Sequence, residues 1–247
     1  MNIPEDTRLL HIRDIEAGYG KISVLHGITM DVFSGEIVSI IGPNGAGKST
    51  LFKAIFGFIR PQSGSILFDN QDITAQPPEK ILKYQIAYVP QERTSFPDMT
   101  VEENLQMGMY VVGEGTRVRP AMQRVFELFP RLAERRRQTV KTMSGGEQRM
   151  VEIARALMPE PRLLLIDEPS AGLAPVINKQ VFATIRKLNM DYGTTILMIE
   201  QNARQALEIS HRGYVLEDGY NRFKGSSKSL LHNPDIQQMY LGGTTRQ

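Results

Sequence analysis

An α/β fold is predicted, with a mostly parallel sheet at its centre, an antiparallel β portion before it and a helical block set into it. Three observations carry this expectation. Short apolar runs (Ile37–Ile41, Leu163–Ile166, Thr195–Ile199) end in turn residues and are too short for helices, as strands buried on both faces are. Between and after the last two come helical-period segments near Pro175–Tyr192 and Asn202–Ile209, giving the β–α–β alternation of a doubly wound sheet. The first run feeds directly into the glycine-rich string Gly42-Pro43-Asn44-Gly45-Ala46-Gly47-Lys48-Ser49, and Leu51–Phe56 follow at helical spacing.

Taken in order, Leu9–Ile15 and Gly27–Val32 alternate in period two and read as half-buried antiparallel strands. Ser63–Phe68, closed by Asp69-Asn70, is a third strand with its turn, and Ile86–Val89, ended by Pro90, is a short core strand. From Thr100 to about Gln138 the pattern turns helical: Val101, Leu105, Met109 and Val112 share one face, Met122, Val125, Phe126 and Phe129 another, with Gly113-Glu114-Gly115 between them. Most of the methionines here (Met99, Met107, Met109, Met122) are expected in the core, although methionine also adapts to irregular contact surfaces. A helix near Gly145–Leu157 precedes the Leu163 strand, a strand Gly213–Leu216 leads to the turn Glu217-Asp218-Gly219-Tyr220, and short helices close the chain.

Composition narrows the function. The 247 residues are 41% hydrophobic and 23% charged, an ordinary globular balance. A net charge of +2 supplies no basic field for nucleic acid, and Arg135-Arg136-Arg137 after Glu134 reads as a solvated helix end. The absence of cysteine excludes disulfides, thiolate catalysis and cysteine-ligated metals. The N-terminus lacks the charged-then-apolar build of a signal peptide, and no apolar run approaches the ~18 residues of a membrane span.

The glycine-rich string is a P-loop, G-x-x-x-x-G-K-[ST], whose tight turns aim backbone N–H groups at phosphate oxygens. Lys48 reaches the β- and γ-phosphates in such a loop, the Ser49 hydroxyl holds Mg²⁺, and binding of a nucleoside triphosphate is the expectation. The run Leu163–Ile166 delivers Asp167 and Glu168 at a strand end: Asp167 suits a Mg²⁺ partner, and Glu168 can accept a proton from an attacking water.

Taken together, these residues resemble the ATP-binding cassette (ABC) ATPases along essentially the whole chain. The resemblance implies a P-loop NTPase core, one cassette over 1–247, with a helical subdomain inserted at about 92–143. Ser144-Gly145-Gly146-Glu147-Gln148 matches the family's signature sequence, a loop at a helix N-terminus that contacts ATP bound to a partner copy. Tyr19 matches the aromatic that stacks on adenine, and Gln91 the glutamine that senses Mg²⁺. Thr50 continues the P-loop contacts. Ser170–Ala174 matches the loop that crosses to the partner, with Ala174 where many members carry Asp. Gln201 stands where many carry a γ-phosphate histidine, and its neutral amide is expected to substitute geometrically.

Phe96–Leu105, Glu200–Leu207 and the ending Tyr240-Leu241-Gly242-Gly243 resemble the second ATPase of branched-chain and neutral amino-acid importers. That likeness implies ATP and Mg²⁺ as cofactors, a second cassette ATPase, two membrane-spanning permease subunits and, indirectly, a substrate-binding protein. The permeases would hold the chain at the cytoplasmic face of the membrane. Urea or short-amide importers, lipopolysaccharide-type exporters and soluble non-transport cassettes are the alternatives.

Overall fold

The computed structural model describes residues 8–110 and 117–241. Val112, the Gly113-Glu114-Gly115 separator, Gly242 and Gly243 lie outside the described residues. In chain order the elements are β1 (Arg8–Tyr19), β2 (Ile22–Phe33), β3 (Ile37–Ile41), α1 (Lys48–Ile55), β4 (Ser63–Phe68), β5 (Gln71–Asp72), α2 (Pro78–Ile81) and β6 (Ile86–Val89). There follow α3 (Val101–Met107), α4 (Val118–Leu128), α5 (Pro130–Glu134), α6 (Gly145–Leu157), β7 (Leu163–Asp167) and α7 (Pro175–Tyr192). The chain ends with β8 (Thr195–Ile199), α8 (Ala203–Ile209), β9 (Arg212–Glu217), β10 (Tyr220–Ser226), α9 (Ser227–Leu231) and α10 (Pro234–Tyr240).

Two sheets organise these elements. A four-stranded sheet runs β2-β1-β4-β5 with antiparallel pairing throughout. A six-stranded sheet runs β10-β9-β3-β8-β7-β6, parallel except for β10 at its edge. The expected α/β architecture is therefore present.

The central strands are apolar throughout because both of their faces are covered, and the pleat sends alternate residues into different cores. Leu164, Ile166, Ile196 and Met198 join one core with α3–α8, whereas Leu163, Leu165, Leu197 and Ile199 join another with α1 and the antiparallel sheet. Burying each such side chain contributes about 1.5–3 kcal/mol. A single polar substitution in β7 or β8 would cut into one of these layers.

The helices between β6 and β7 start on clear signals. Thr100 and Glu103 form a capping box at α3, and Ser144 and Glu147 form another at α6. Met109 and Phe129 fall just outside α3 and α4, yet both stay buried, so helical spacing found the core face but overran the helix ends. Arg135, Arg136 and Arg137 follow α5 and are exposed, as a solvated helix end should be. Met109 and Met122 are buried, while Met99 and Met107 are only partly so.

Candidate functional site: a cleft at the strand ends

Parallel sheets gather loops at the carboxyl ends of their strands, and four of those loops meet here. The loop after β3 carries residues 42–47. That after β6 carries Gln91, that after β7 carries Glu168, and that after β8 carries Gln201. Tyr19 arrives from the end of β1 in the other sheet. Tyr19, Asn44, Gly45, Gly47, Lys48, Ser49, Thr50, Gln91, Glu168 and Gln201, with Val24 of β2, line one open cleft of about 490 Å³.

The P-loop owes its shape to its glycines. Gly47 precedes α1 with φ of +94°, a left-handed conformation that glycine adopts without strain. A Cβ at Gly42 would lie 2.0 Å from the Leu216 carbonyl oxygen, so β9 excludes any side chain there. Gly42 and Pro43 turn their carbonyls to Lys48, whose Nζ donates to them at 2.9 and 2.8 Å. Burial pushes the Lys48 pKa down, and the carboxylates of Glu168 and Asp167 pull it back up. Ala46 is buried, and its carbonyl accepts from Gly219 N–H of the β9–β10 turn at 3.2 Å.

Asp167 ends β7 beneath the cleft. Its Oδ2 accepts from the Tyr88 hydroxyl at 3.3 Å, while its buried Oδ1 has no partner among the described residues. Burial raises the Asp167 pKa, the Ser49 hydroxyl lowers it, and Glu168 raises it further. A buried carboxylate oxygen without a donor, beside a serine hydroxyl, fits a hard divalent cation.

Glu168 is 7% exposed and has φ of +45°, a conformation that costs a non-glycine residue about 1–2 kcal/mol. Its Oε2 accepts from Gln91 Nε2 at 2.7 Å, and both its oxygens lie 3.1 Å from Gln201 Nε2. That same Gln201 nitrogen donates to Asn44 Oδ1 of the P-loop at 2.9 Å. One amide thus spans the glutamate and the phosphate loop. Tyr19 is 48% exposed at the rim of the cleft, and Lys53 Nζ lies over its ring 5.8 Å from the centroid.

A family model described as ABC transporter matches residues 25–171. The chain is 46% identical over 235 residues to the high-affinity branched-chain amino acid transport ATP-binding protein BraG of Pseudomonas aeruginosa, covering 95% of this chain and 100% of the relative. It is 36% identical to the probable branched-chain amino acid transport ATP-binding protein LivF of Archaeoglobus fulgidus, covering 95% and 99%. Among solved structures, the ADP conformation of an ATP-binding cassette of an ABC transporter superposes with a TM-score of 0.85 at 30% identity, covering 95% and 99%. The chain belongs to the ABC transporter family. It is an ATP-binding, ATP-hydrolysing cassette of that family.

Ser144–Gln148, expected from sequence to be the signature, stand apart from the cleft lining. Ser144 is exposed, its hydroxyl donating to Glu147 Oε2 at 2.8 Å. Arg135 pairs with Glu147 at 2.9 Å, and Arg93 donates to Gln148 Oε1 at 2.9 Å. Gly145 shares a small separate cavity with Gln91, Arg93 and Glu168. Ala174 caps α7 without any side-chain hydrogen bond, where an Asp could supply one.

Three residues not singled out from sequence tie this ABC cassette together. Arg149 of α6 donates to the Pro90 carbonyl at 2.6 Å and the Asp167 carbonyl at 2.7 Å, and pairs with Glu152 at 3.1 Å. Glu152 accepts from Thr94 and Ser95 N–H at 2.7 and 3.1 Å, so α6 holds the segment after Gln91. Glu200 accepts from Ser170 and Gln201. The available signal for Glu200 was an acid ending an apolar strand, the pattern that had already marked Asp167-Glu168.

Proposed function

We propose that this chain powers an importer of branched-chain amino acids, working as one of a pair of cassette ATPases. The convergence of Lys48, Glu168 and Gln201 on one cleft carries the chemistry, and the 46% identity to BraG over that relative's whole length favours the cargo. In this reading residues 1–247 form one cassette in which about 92–143 is a helical subdomain that docks a permease segment beside Gln91.

The P-loop N–H groups and Lys48 hold the β- and γ-phosphates, and Thr50 supports the loop from α1. Tyr19 stacks on the adenine. Glu168 orients an attacking water and takes its proton, while Gln201 donates its amide to the γ-phosphate side and keeps Glu168 aimed. Ser49, Asp167 and the Gln91 amide oxygen would hold Mg²⁺, Asp167 Oδ1 having no donor among the described residues. When bound, Mg²⁺ neutralises phosphate charge. Ser144–Gln148 contact ATP on the partner copy through the start of α6, where the N–H groups of Gly145 and Gly146 are the ones the Ser144–Glu147 capping box leaves unused, and the ATP-bound closed pair is the working state.

Among the described residues no helix is long and apolar enough to cross a membrane. Attachment to two permease subunits at the cytoplasmic face, with a substrate-binding protein outside, completes the proposal. Isolating the tagged chain from detergent-solubilised native membranes tests it. Two polytopic subunits, a second cassette ATPase and a binding protein for branched-chain amino acids should co-purify. Recovery with ribosomes, or with a lipopolysaccharide-export assembly, would overturn the importer.

A further inference from the structure

The proposed chemistry leaves the buried acid Glu200 unused. Glu200 follows β8 and is only 1% exposed. Its Oε1 accepts from the Ser170 N–H at 2.9 Å, and its Oε2 from the Ser170 hydroxyl at 2.9 Å and the Gln201 N–H at 3.1 Å. Ser170 opens the loop that leads to Ala174 and α7, and Gln201 is the residue whose amide spans Asn44 and Glu168. A carboxylate buried this deeply is costly to desolvate, and a neutral side chain could fill the space without that cost. Burial raises the Glu200 pKa, the Ser170 hydroxyl and N–H and the Asn202 N–H lower it, and Glu168 raises it again.

We propose that Glu200 is a positioning residue for ATP hydrolysis: it locks loop 170–174 to the Gln201 backbone, so that movement of the loop reaches the amide that aims Glu168. The inference rests on the roles given to Glu168 and Gln201 above. Only a carboxylate accepts all three hydrogen bonds, because the NH₂ of a glutamine would face donors. Loss of the lock shifts Gln201 away from Glu168 and Asn44, and a displacement of about 1 Å at a catalytic group costs about 10²-fold in rate. Tyr19 and Lys48 line the cleft and Glu200 does not, its hydrogen bonds going to Ser170 and Gln201, so ATP binding should be spared.

The test uses the transporter complex isolated from native membranes, with kcat and KM for ATP measured for Glu200→Gln, Ser170→Ala, their double variant and Glu168→Gln. Glu200→Gln should lose about 10- to 100-fold in kcat with KM within about twofold, a split expected when binding is retained and transition-state alignment lost. Ser170→Ala should lose about three- to tenfold, and the double variant should be no slower than Glu200→Gln, because the two act through one contact. Parent-like turnover in Glu200→Gln, or losses that multiply in the double variant, would overturn the proposal. Should Glu200→Gln not fold, an unaltered rate in Ser170→Ala would overturn it alone. Glu168→Gln separates the two layers: if it too turns over normally, the reading of the cleft has failed, whereas an inactive Glu168→Gln beside a normal Glu200→Gln sinks only the positioning role.

Discussion

Strands β7 and β8 lie side by side in parallel register, from Leu163 opposite Thr195 to Asp167 opposite Ile199. Each leaves the core on a glutamate, Glu168 after Asp167 and Glu200 after Ile199. Both glutamates continue the backbone ladder, Glu168 N–H donating to the Ile199 carbonyl at 2.9 Å and Glu200 N–H to the Ile40 carbonyl at 3.2 Å. Their side chains then part. Glu168 takes a positive φ and opens to the cleft, where two glutamine amides hold it. Glu200 is folded under the Ser170 loop, and the next residue, Gln201, reaches the cleft instead. In the proposed reading, a single backbone turn and the donors nearby divide matching positions at two strand ends between a reacting acid and a scaffolding one.

The comparison breaks first at Glu168. Glu168→Gln should lower kcat for ATP about 10²–10⁴-fold, the usual worth of a general base, with ATP binding retained. A steady-state rate within tenfold of the parent would remove Glu168 from its role. The next effect is on stability. Arg149 supports the β7 end through the Asp167 carbonyl and is paired with Glu152 in the interior. Arg149→Ala takes away that acid's ion-pair partner while the Thr94 and Ser95 N–H groups still hold it, so about 3 kcal/mol of unfolding free energy, the lower end for a broken buried pair, should be lost, read from denaturant titration. A loss below 1 kcal/mol, on the scale of an exposed pair, would show that β7 does not depend on this support.

How much of this division was legible in the residues alone differs between the two strand ends. The bounds of β3, α6, α7 and β8 follow directly from period and punctuation, because each has a strong apolar pattern and a clear stop. β5 is two exposed polar residues, and β10 is largely exposed, with Tyr220 and Phe223 its only large apolar side chains. Both are strands by virtue of the partner they pair with, which no local pattern records. At the site, Asp167-Glu168 stood out because a P-loop in the same chain gave two acids a task. Glu200 had the same local pattern but no motif to claim it, and its role depends on Ser170, thirty residues away in sequence. Arg149 and Glu152 are hidden for the same reason: on a helix they read as an i,i+3 surface pair, and only packing makes them buried.

Smaller effects sharpen the account of β8. Gln201→Ala removes one donor to Glu168 and Asn44 and should slow turnover about tenfold, whereas Gln201→His restores a donor and should stay within about threefold of the parent. A parent-like rate in Gln201→Ala would make the amide dispensable. Tyr19, which is not among the hydrogen-bond partners of either glutamate, serves as the outside reference. Tyr19→Ala should raise KM for ATP about fivefold, the worth of one aromatic contact, and leave kcat unchanged.

The most direct test of the division between the two glutamates is retention of radiolabelled ATP. The complex is incubated with ATP and Mg²⁺, passed through a desalting column, and the bound nucleotide is identified as ATP or ADP. The account predicts that Glu168→Gln retains uncleaved ATP in a closed pair, because closure survives when water activation is lost, and that Glu200→Gln still converts its ATP to ADP, only slowly. Uncleaved ATP held by Glu200→Gln, with ADP formed at the parent rate by Glu168→Gln, would contradict it and exchange the two roles.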